Sequence, residues 1–292
     1  MKVLVTGTSG QLGFDVAKEL ISRGHEPIGA DRAETNANFE HLVLDITDKD
    51  RVMEVVKEVH PDAIIHCAAW TNVDAAEEPG NLTTVRAVNV DGTRNLAEAC
   101  KEVDGKLVYI STDYVFDGTG TEPWKPDDKN YAPINVYGQS KLDGELEVAR
   151  ILKKYFIVRI AWVFGKNGKN FVRTMIEVGK NHDIVKVVDD QIGTPTYTVD
   201  LAKLLVDMIE TERYGCYHAT NEGGFISWAD FTEEIYRQTE MKTKVERVTT
   251  EEYGLSKAKR PFNSRLDKSK LVEAGFEPLP DWKDALSRFL AD

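Results

Sequence analysis

Tyr137 and Lys141 form a Tyr-x-x-x-Lys step in Val136-Tyr137-Gly138-Gln139-Ser140-Lys141. Four residues apart on a helix, they share a face. A free phenol titrates at about pH 10, and a nearby ammonium favours its anion, which eases exchange of the proton. Near its N-terminus the chain carries Gly7-x-x-Gly10-x-x-Gly13. Glycines between a first strand and a first helix allow a tight turn, let backbone amides approach a pyrophosphate and let the helix pack closely on a sheet. The spacing differs from the usual Gly-x-Gly-x-x-Gly, and each pattern alone is common. In this order and at this separation they put a dinucleotide beside a phenol with a movable proton, which is the chemistry of carbonyl reduction. Lys141 is also long enough to reach a nicotinamide ribose. Ser111-Thr112-Asp113 offers hydroxyls to hold a carbonyl oxygen.

Those residues need a scaffold, and the hydrophobic pattern supplies one. Residues 2–6, 27–30, 41–44, 63–67, 106–111 and 156–160 read as short, continuously apolar strands. Between them, Leu12, Val16, Ala17, Leu20 and Ile21 recur at helical spacing up to Gly24. Asp48 is a fitting N-cap for a helix bearing Val52, Val55, Val56 and Val59. Residues 82–103 read as one helix, and Leu142, Leu146 and Val148 mark another. Strands apolar on both faces and alternating with helices predict an α/β fold, a doubly wound parallel sheet of the Rossmann type. Residues 1–165 would form the dinucleotide-binding domain. Residues 166–292, with helices near 199–209, 228–238 and 282–290, a strand near 216–219 and a loop at 189–196, would mainly form a smaller α+β substrate lobe, interleaved with the first.

Asp31 ends the second strand, where a carboxylate can accept hydrogen bonds from an adenosine ribose, as NAD requires. Arg32 follows and could meet a 2′-phosphate instead, so the choice between NADH and NADPH stays open. Asp45 after the third strand could meet the adenine edge. Gln11 and Leu12 inside the glycine turn and Ile46 beside Asp45 complete the expected cofactor-binding set.

The bulk properties exclude several classes. Net charge is −12, which disfavours nonspecific binding to nucleic acid or anionic membranes. No apolar run is long enough to span a bilayer, and Met1-Lys2 leads straight into a strand without a signal-peptide pattern. A cytoplasmic protein is expected. Cys67, Cys100 and Cys216 are odd in number and lack a Cys-x-x-Cys pair, so no disulfide framework is expected. The six histidines show no metal-ligand spacing, and His66 at a strand end reads as a packed, hydrogen-bonded residue. No motif predicts a metal site, although an Mg2+ ion held between subunits by acidic side chains stays open, as does a homodimer.

The chain resembles the extended short-chain dehydrogenase/reductase family, and within it the dTDP-4-dehydrorhamnose reductases. The resemblance rests on Ser111-Thr112-Asp113-Tyr114-Val115-Phe116-Asp117-Gly118, on Tyr137-Gly138-Gln139-Ser140-Lys141 and on Arg159-Ile160-Ala161-Trp162-Val163-Phe164-Gly165. Asp190-Gln191-Ile192-Gly193-Thr194-Pro195-Thr196 and Arg260-Pro261-Phe262-Asn263-Ser264-Arg265-Leu266-Asp267 continue it over nearly the whole chain. It implies hydride transfer from NADPH or NADH to C4 of a dTDP-linked keto sugar, giving dTDP-L-rhamnose. On this resemblance Tyr137 gives the proton, Lys141 lowers its pKa and fixes the ribose, and Thr112 holds the carbonyl oxygen. Asp113, Tyr114 and Trp162 would line the sugar pocket, and Ala68 and Ala69 would leave room for the cofactor. Arg265 would meet the diphosphate with its planar fork, and Asn170 and Gln191 would offer amides to phosphate or base. Two rival readings share the resemblance. Nucleotide-sugar epimerases and dehydratases carry the same two motifs, but dehydratases place acids after the strand-end hydroxyl, and here Tyr114 follows Asp113. The regulatory subunit of methionine adenosyltransferase shares the Asp-Tyr-Val-Phe-Asp-Gly run without being an enzyme. Intact Thr112, Tyr137, Lys141 and Trp162 favour catalysis.

Overall fold

The apolar runs of the sequence pair side by side. A computed structural model describes residues 1–33 and 38–291. Strands β1 (Lys2–Thr6), β2 (Glu26–Asp31), β3 (Glu40–Val43), β4 (Ala63–His66), β5 (Lys106–Thr112), β6 (Tyr155–Ile160) and the later Gly215–His218 form a seven-stranded sheet. Its order is Gly215–His218, β6, β5, β4, β1, β2, β3, and every pairing is parallel. Successive side chains of a strand point to opposite faces, so an all-apolar strand must be covered twice. Val3 and Val5 go to one core with Leu12, Val16 and Leu20 of α1 (Gln11–Ser22) and with Leu201, Leu205 and Met208 of the helix Thr198–Ile209. Leu4 goes to the other core, with Val52 and Val55 of α2 (Lys49–Val59), Leu96 and Cys100 of α3 (Thr93–Glu102), and Val148 of α4 (Val136–Ile151). Asp48 caps α2 as expected, its carboxylate accepting from Arg51 N at 3.0 Å.

The glycine turn is closed by steric need. Gly7 has φ +73°, and a Cβ there would lie 2.7 Å from Ala68 N at the end of β4. Helix α1 begins within the expected turn, so Gly13 already lies in its first turns. A Cβ on Gly13 would lie 2.3 Å from Gly7 O.

Two elements differ from the sequence reading. Residues 82–103 form three pieces: Leu82–Arg86, a π-helix at Ala87–Gly92, and α3. The wider π turn holds Asn89, whose amide reaches Trp70 and Ser140. The second difference is a parallel pair unseen in the sequence, Ile184–Val188 with Lys244–Val248. It lies beside the helices Phe171–Asn181 (α5) and Trp228–Gln238.

Past residue 165 the chain serves both layers. It returns to supply the sheet's edge strand at Gly215–His218 and, in Thr198–Ile209, the helix packed on α1. A separate aromatic core gathers Phe164, Tyr197, Phe231 and Trp282 with Ile235 and Leu286. Among the described residues, no helix is long and apolar enough to cross a membrane.

Candidate active site

Parallel strands open at their carboxyl ends, and here the ends of β1, β2, β4, β5 and β6 meet a cleft of about 690 Å³. One end of its wall contains Gly7, Gly10, Gln11, Leu12 and Gly13, with Asp31, Arg32, Asp45 and Ile46. Ala68 and Ala69 line its middle, and Thr112, Asp113, Tyr114, Tyr137, Lys141 and Trp162 its far end. The glycine turn is drawn tight, since a Cβ at Gly7 or Gly13 would strike main-chain atoms of Ala68 or Gly7, and a turn of this kind between strand and helix fits a dinucleotide's diphosphate. Asp31 is half-buried and holds the turn's shape, accepting from Ser9 N at 3.0 Å and from Arg32 N at 2.7 Å.

Helix α4 delivers Tyr137 and Lys141. Its start is fixed by Asn135, which accepts from Gly138 N at 2.7 Å, and by Glu77, which accepts from Val136 N at 2.7 Å. The Tyr137 ring meets Tyr114 edge-on, with centroids 5.7 Å apart. Thr112, the last residue of β5, donates to Asp113 Oδ1 at 3.0 Å and accepts from Tyr114 N at 3.2 Å.

The electrostatics differ from the sequence expectation in one respect. Burial dominates the phenol, not the ammonium. Loss of hydration pushes Tyr137 well above the usual tyrosine range, the Asp113 charge adds to this, and hydrogen bonding with Thr112 partly offsets it. Burial likewise draws Lys141 down to about 7, against Glu145 and Cys67. The Lys141 ammonium lies 4.1 Å from the centre of the Tyr109 ring, a cation–π contact. Tyr137 therefore carries its proton at neutral pH and is poised as a donor. His66 is packed as expected, with its ring nitrogens 2.8 Å from Thr6 Oγ1 and 3.1 Å from Thr93 Oγ1. Burial brings its imidazole down to about 3, so it stays neutral.

Asp113 is buried, and burial pushes its carboxyl up to about 6 against hydrogen bonds from Ser264 and Thr112. Below the unfolded value of about 3.9 the group is protonated in both states. As pH rises towards 6 the unfolded chain releases the proton first, so stability falls, and above the folded value the loss is constant at roughly 2–3 kcal/mol. Asp113→Asn is expected to remove this slope. Thermal unfolding of both proteins from about pH 4 to pH 7 should show the variant gaining on the wild type as pH rises; a constant difference would refute it.

Trp162 is reached through a left-handed backbone, φ +51°, rare for a bulky side chain. Its indole stacks on Trp228, with centroids 3.7 Å apart and planes at 16°. Strain of this kind persists where surrounding contacts over-determine it, and Gly193 supports the other part of the ring: a Cβ there would lie 3.0 Å from Trp162 Cε2.

Three expected substrate residues do not line the cleft. Asn170 is buried and turned to the protein, donating to Gly165 O at 2.6 Å and Gln11 Oε1 at 3.0 Å and capping α5 through Arg173 N at 3.0 Å. Gln191 is buried and donates to Thr250 Oγ1 at 3.0 Å. Arg265 donates to Asn263 Oδ1 at 3.0 Å and lies over Phe225. The sequence reading passed over Ser9, Trp70, Thr71, Asn167, Gly168, Lys169 and Trp228, which do line it. Most of them follow directly on β1, β4 or the Val163–Phe164 strand, so the rule that ligands sit beyond strand carboxyl ends would have flagged them. Among the described residues, no three His, Cys, Asp or Glu side chains converge as metal ligands.

Comparison with known proteins agrees with this geometry. The RmlD substrate binding domain profile matches residues 1–292. The chain is 40% identical over 304 residues to a dTDP-4-dehydrorhamnose reductase of Aggregatibacter actinomycetemcomitans, covering 99% of this chain and 98% of the relative. The crystal structure of the Bacillus anthracis dTDP-4-dehydrorhamnose reductase in complex with NADP superposes with a TM-score of 0.91 at 43% identity, covering 99% and 98% of the two chains. That of a Clostridium acetobutylicum dTDP-4-dehydrorhamnose reductase gives 0.92 at 42% identity, covering 100% and 99%.

Proposed function

Since the chain belongs to the RmlD substrate binding domain family, we propose that it reduces the C4 ketone of dTDP-4-dehydro-L-rhamnose to dTDP-L-rhamnose with NADPH or NADH. The observation that carries the reading is the convergence of Thr112, Tyr137 and Lys141 with the glycine turn in one cleft. The reduced nicotinamide, when bound, supplies the hydride. Thr112 offers its hydroxyl to the ketone oxygen and holds it next to the phenol. Tyr137, which carries its proton at neutral pH, gives it to the oxygen as negative charge develops there. Lys141, near neutrality in its own titration, stabilises the phenolate left behind and holds the ribose. Asp113, Tyr114 and Trp162 shape the sugar side, with Trp228 behind Trp162. Arg265 lies outside this wall and would serve the nucleotide end. The acidic surface and the sugar-nucleotide substrate support a cytoplasmic site of action.

The test is direct. The purified protein, mixed with the dTDP-4-keto sugar and NADPH or NADH in separate runs, is expected to consume the reduced-nicotinamide absorbance in proportion to sugar added. An epimerase or dehydratase would show no net loss of reduced cofactor, and a regulatory subunit would show no reaction at all; either outcome ends the reading.

A further inference from the structure

We propose that the loop of residues 165–170 is the outer wall of the dinucleotide's diphosphate site, with Lys169 as its cation and Asn167 as the tie that holds it over the glycine turn. The inference rests on the cofactor reading above and assigns to it residues from the far half of the sequence. Asn167 Nδ2 donates to two main-chain carbonyls of the turn, Ser9 O at 3.1 Å and Gly10 O at 3.2 Å. Occupying these oxygens withdraws two negative dipole ends from the rim an anion must approach. The loop is tied at its other end as well. Asn170 bonds Gln11 Oε1, and Arg173 Nη2 donates to Lys166 O at 2.7 Å. Gly168 sits beside the turn, where a Cβ on it would come into van der Waals contact with Gln11 Cγ at 3.6 Å.

Lys169 follows in this fixed loop. It is exposed, lines the same cleft as Gly10 and Gln11, and makes no ion pair with any described residue. In a protein of net charge −12, a cation left uncompensated at a cleft rim is poised for an external anion. Its surroundings are cationic too: Lys166 is pushed down by burial and by Lys18, with Arg173 adding, against Asp15. A dinucleotide's diphosphate, with two negative charges at the glycine turn, is the anion that fits.

The experiment titrates the full-length wild type, Lys169→Ala and Lys169→Arg with NADPH, with ADP-ribose (which keeps the diphosphate) and with dTDP. An exposed side chain is expendable for folding, so Lys169→Ala should be native by circular dichroism. Losing one charge-assisted contact is expected to weaken NADPH and ADP-ribose binding about tenfold, with Lys169→Arg close to wild type and dTDP affinity unchanged. Unaltered NADPH and ADP-ribose affinity in Lys169→Ala overturns the inference while leaving the reductase reading standing. Weakening of dTDP alone overturns it too, by moving the lysine to the substrate. Failure of the wild type to bind NADPH and NADH would sink the cofactor reading itself.

Discussion

Tyr137→Phe is expected to lower kcat by about 10²- to 10⁴-fold, the usual worth of a positioned general acid, while NADPH affinity stays near wild type. The substitution deletes one oxygen and keeps the ring. The edge-on contact with Tyr114 survives, since it is made by the ring faces and edges. The helix start is also untouched, being held by Asn135 and Glu77 and not by the phenol. What is lost is the proton that must reach the ketone oxygen as hydride arrives at carbon. Thr112 cannot replace it, because an aliphatic hydroxyl is a far weaker acid than a phenol and can only orient the oxygen. Steady-state kinetics with the keto sugar, alongside calorimetric titration with NADPH, separate the two effects. Turnover equal to wild type would remove Tyr137 from the proton transfer. A parallel loss of NADPH affinity would instead give the phenol a part in binding.

The glycine turn and the Tyr-x-x-x-Lys step were legible because their physics is local. A strand, a φ-positive glycine and a helix need only adjacent residues, and four-residue spacing puts two side chains on one helical face. The strands of the sheet were legible for a related reason: Val3, Leu4 and Val5 are all apolar because both faces are covered. What escaped was set by contacts between distant parts of the chain. The π turn at Ala87–Gly92 exists where Asn89 meets Trp70 and Ser140, a partnership invisible in residues 82–103 alone. The strands Ile184–Val188 and Lys244–Val248 are half exposed and interrupted by charge, so neither looks like a core strand until the other is beside it. The amide chemistry that suggests a substrate role for Asn170 also suits the contacts the fold gives it, a cap on α5 and a bond to Gln11, which its neighbours in sequence do not announce. Lys141 was expected to acidify the phenol through proximity in sequence, whereas the pKa of each group is governed by how deeply the fold encloses it.

Arg159→Met is expected to destabilise the protein by roughly 3–5 kcal/mol, because it strands a buried carboxylate. Arg159 is 1% exposed and Glu145 3%. The guanidinium meets Glu145 with a two-pronged contact at 2.8 and 2.7 Å, donates to Pro126 O at 3.2 Å and Tyr131 OH at 3.0 Å, and lies over the Phe116 ring. Removing it leaves Glu145 without its counter-charge in a site water does not reach. Removing both partners is different: Arg159→Met with Glu145→Leu leaves no unpaired buried charge, only the neutral acceptors Pro126 O and Tyr131 OH, so the double variant should recover much of the loss. Urea unfolding of the two single variants and the double variant measures the coupling. Additive losses would show that the pair does not act as one unit. The consequence for function follows from position, since Glu145 lies on α4, one helical turn past Lys141 and two past Tyr137, while Arg159 belongs to β6. The pair therefore pins the helix carrying the proton donor to the sheet that carries the cleft. If that is its role, the double variant will fold yet show a lower kcat with NADPH affinity retained, because α4 keeps its apolar packing but loses the bond that fixes its setting.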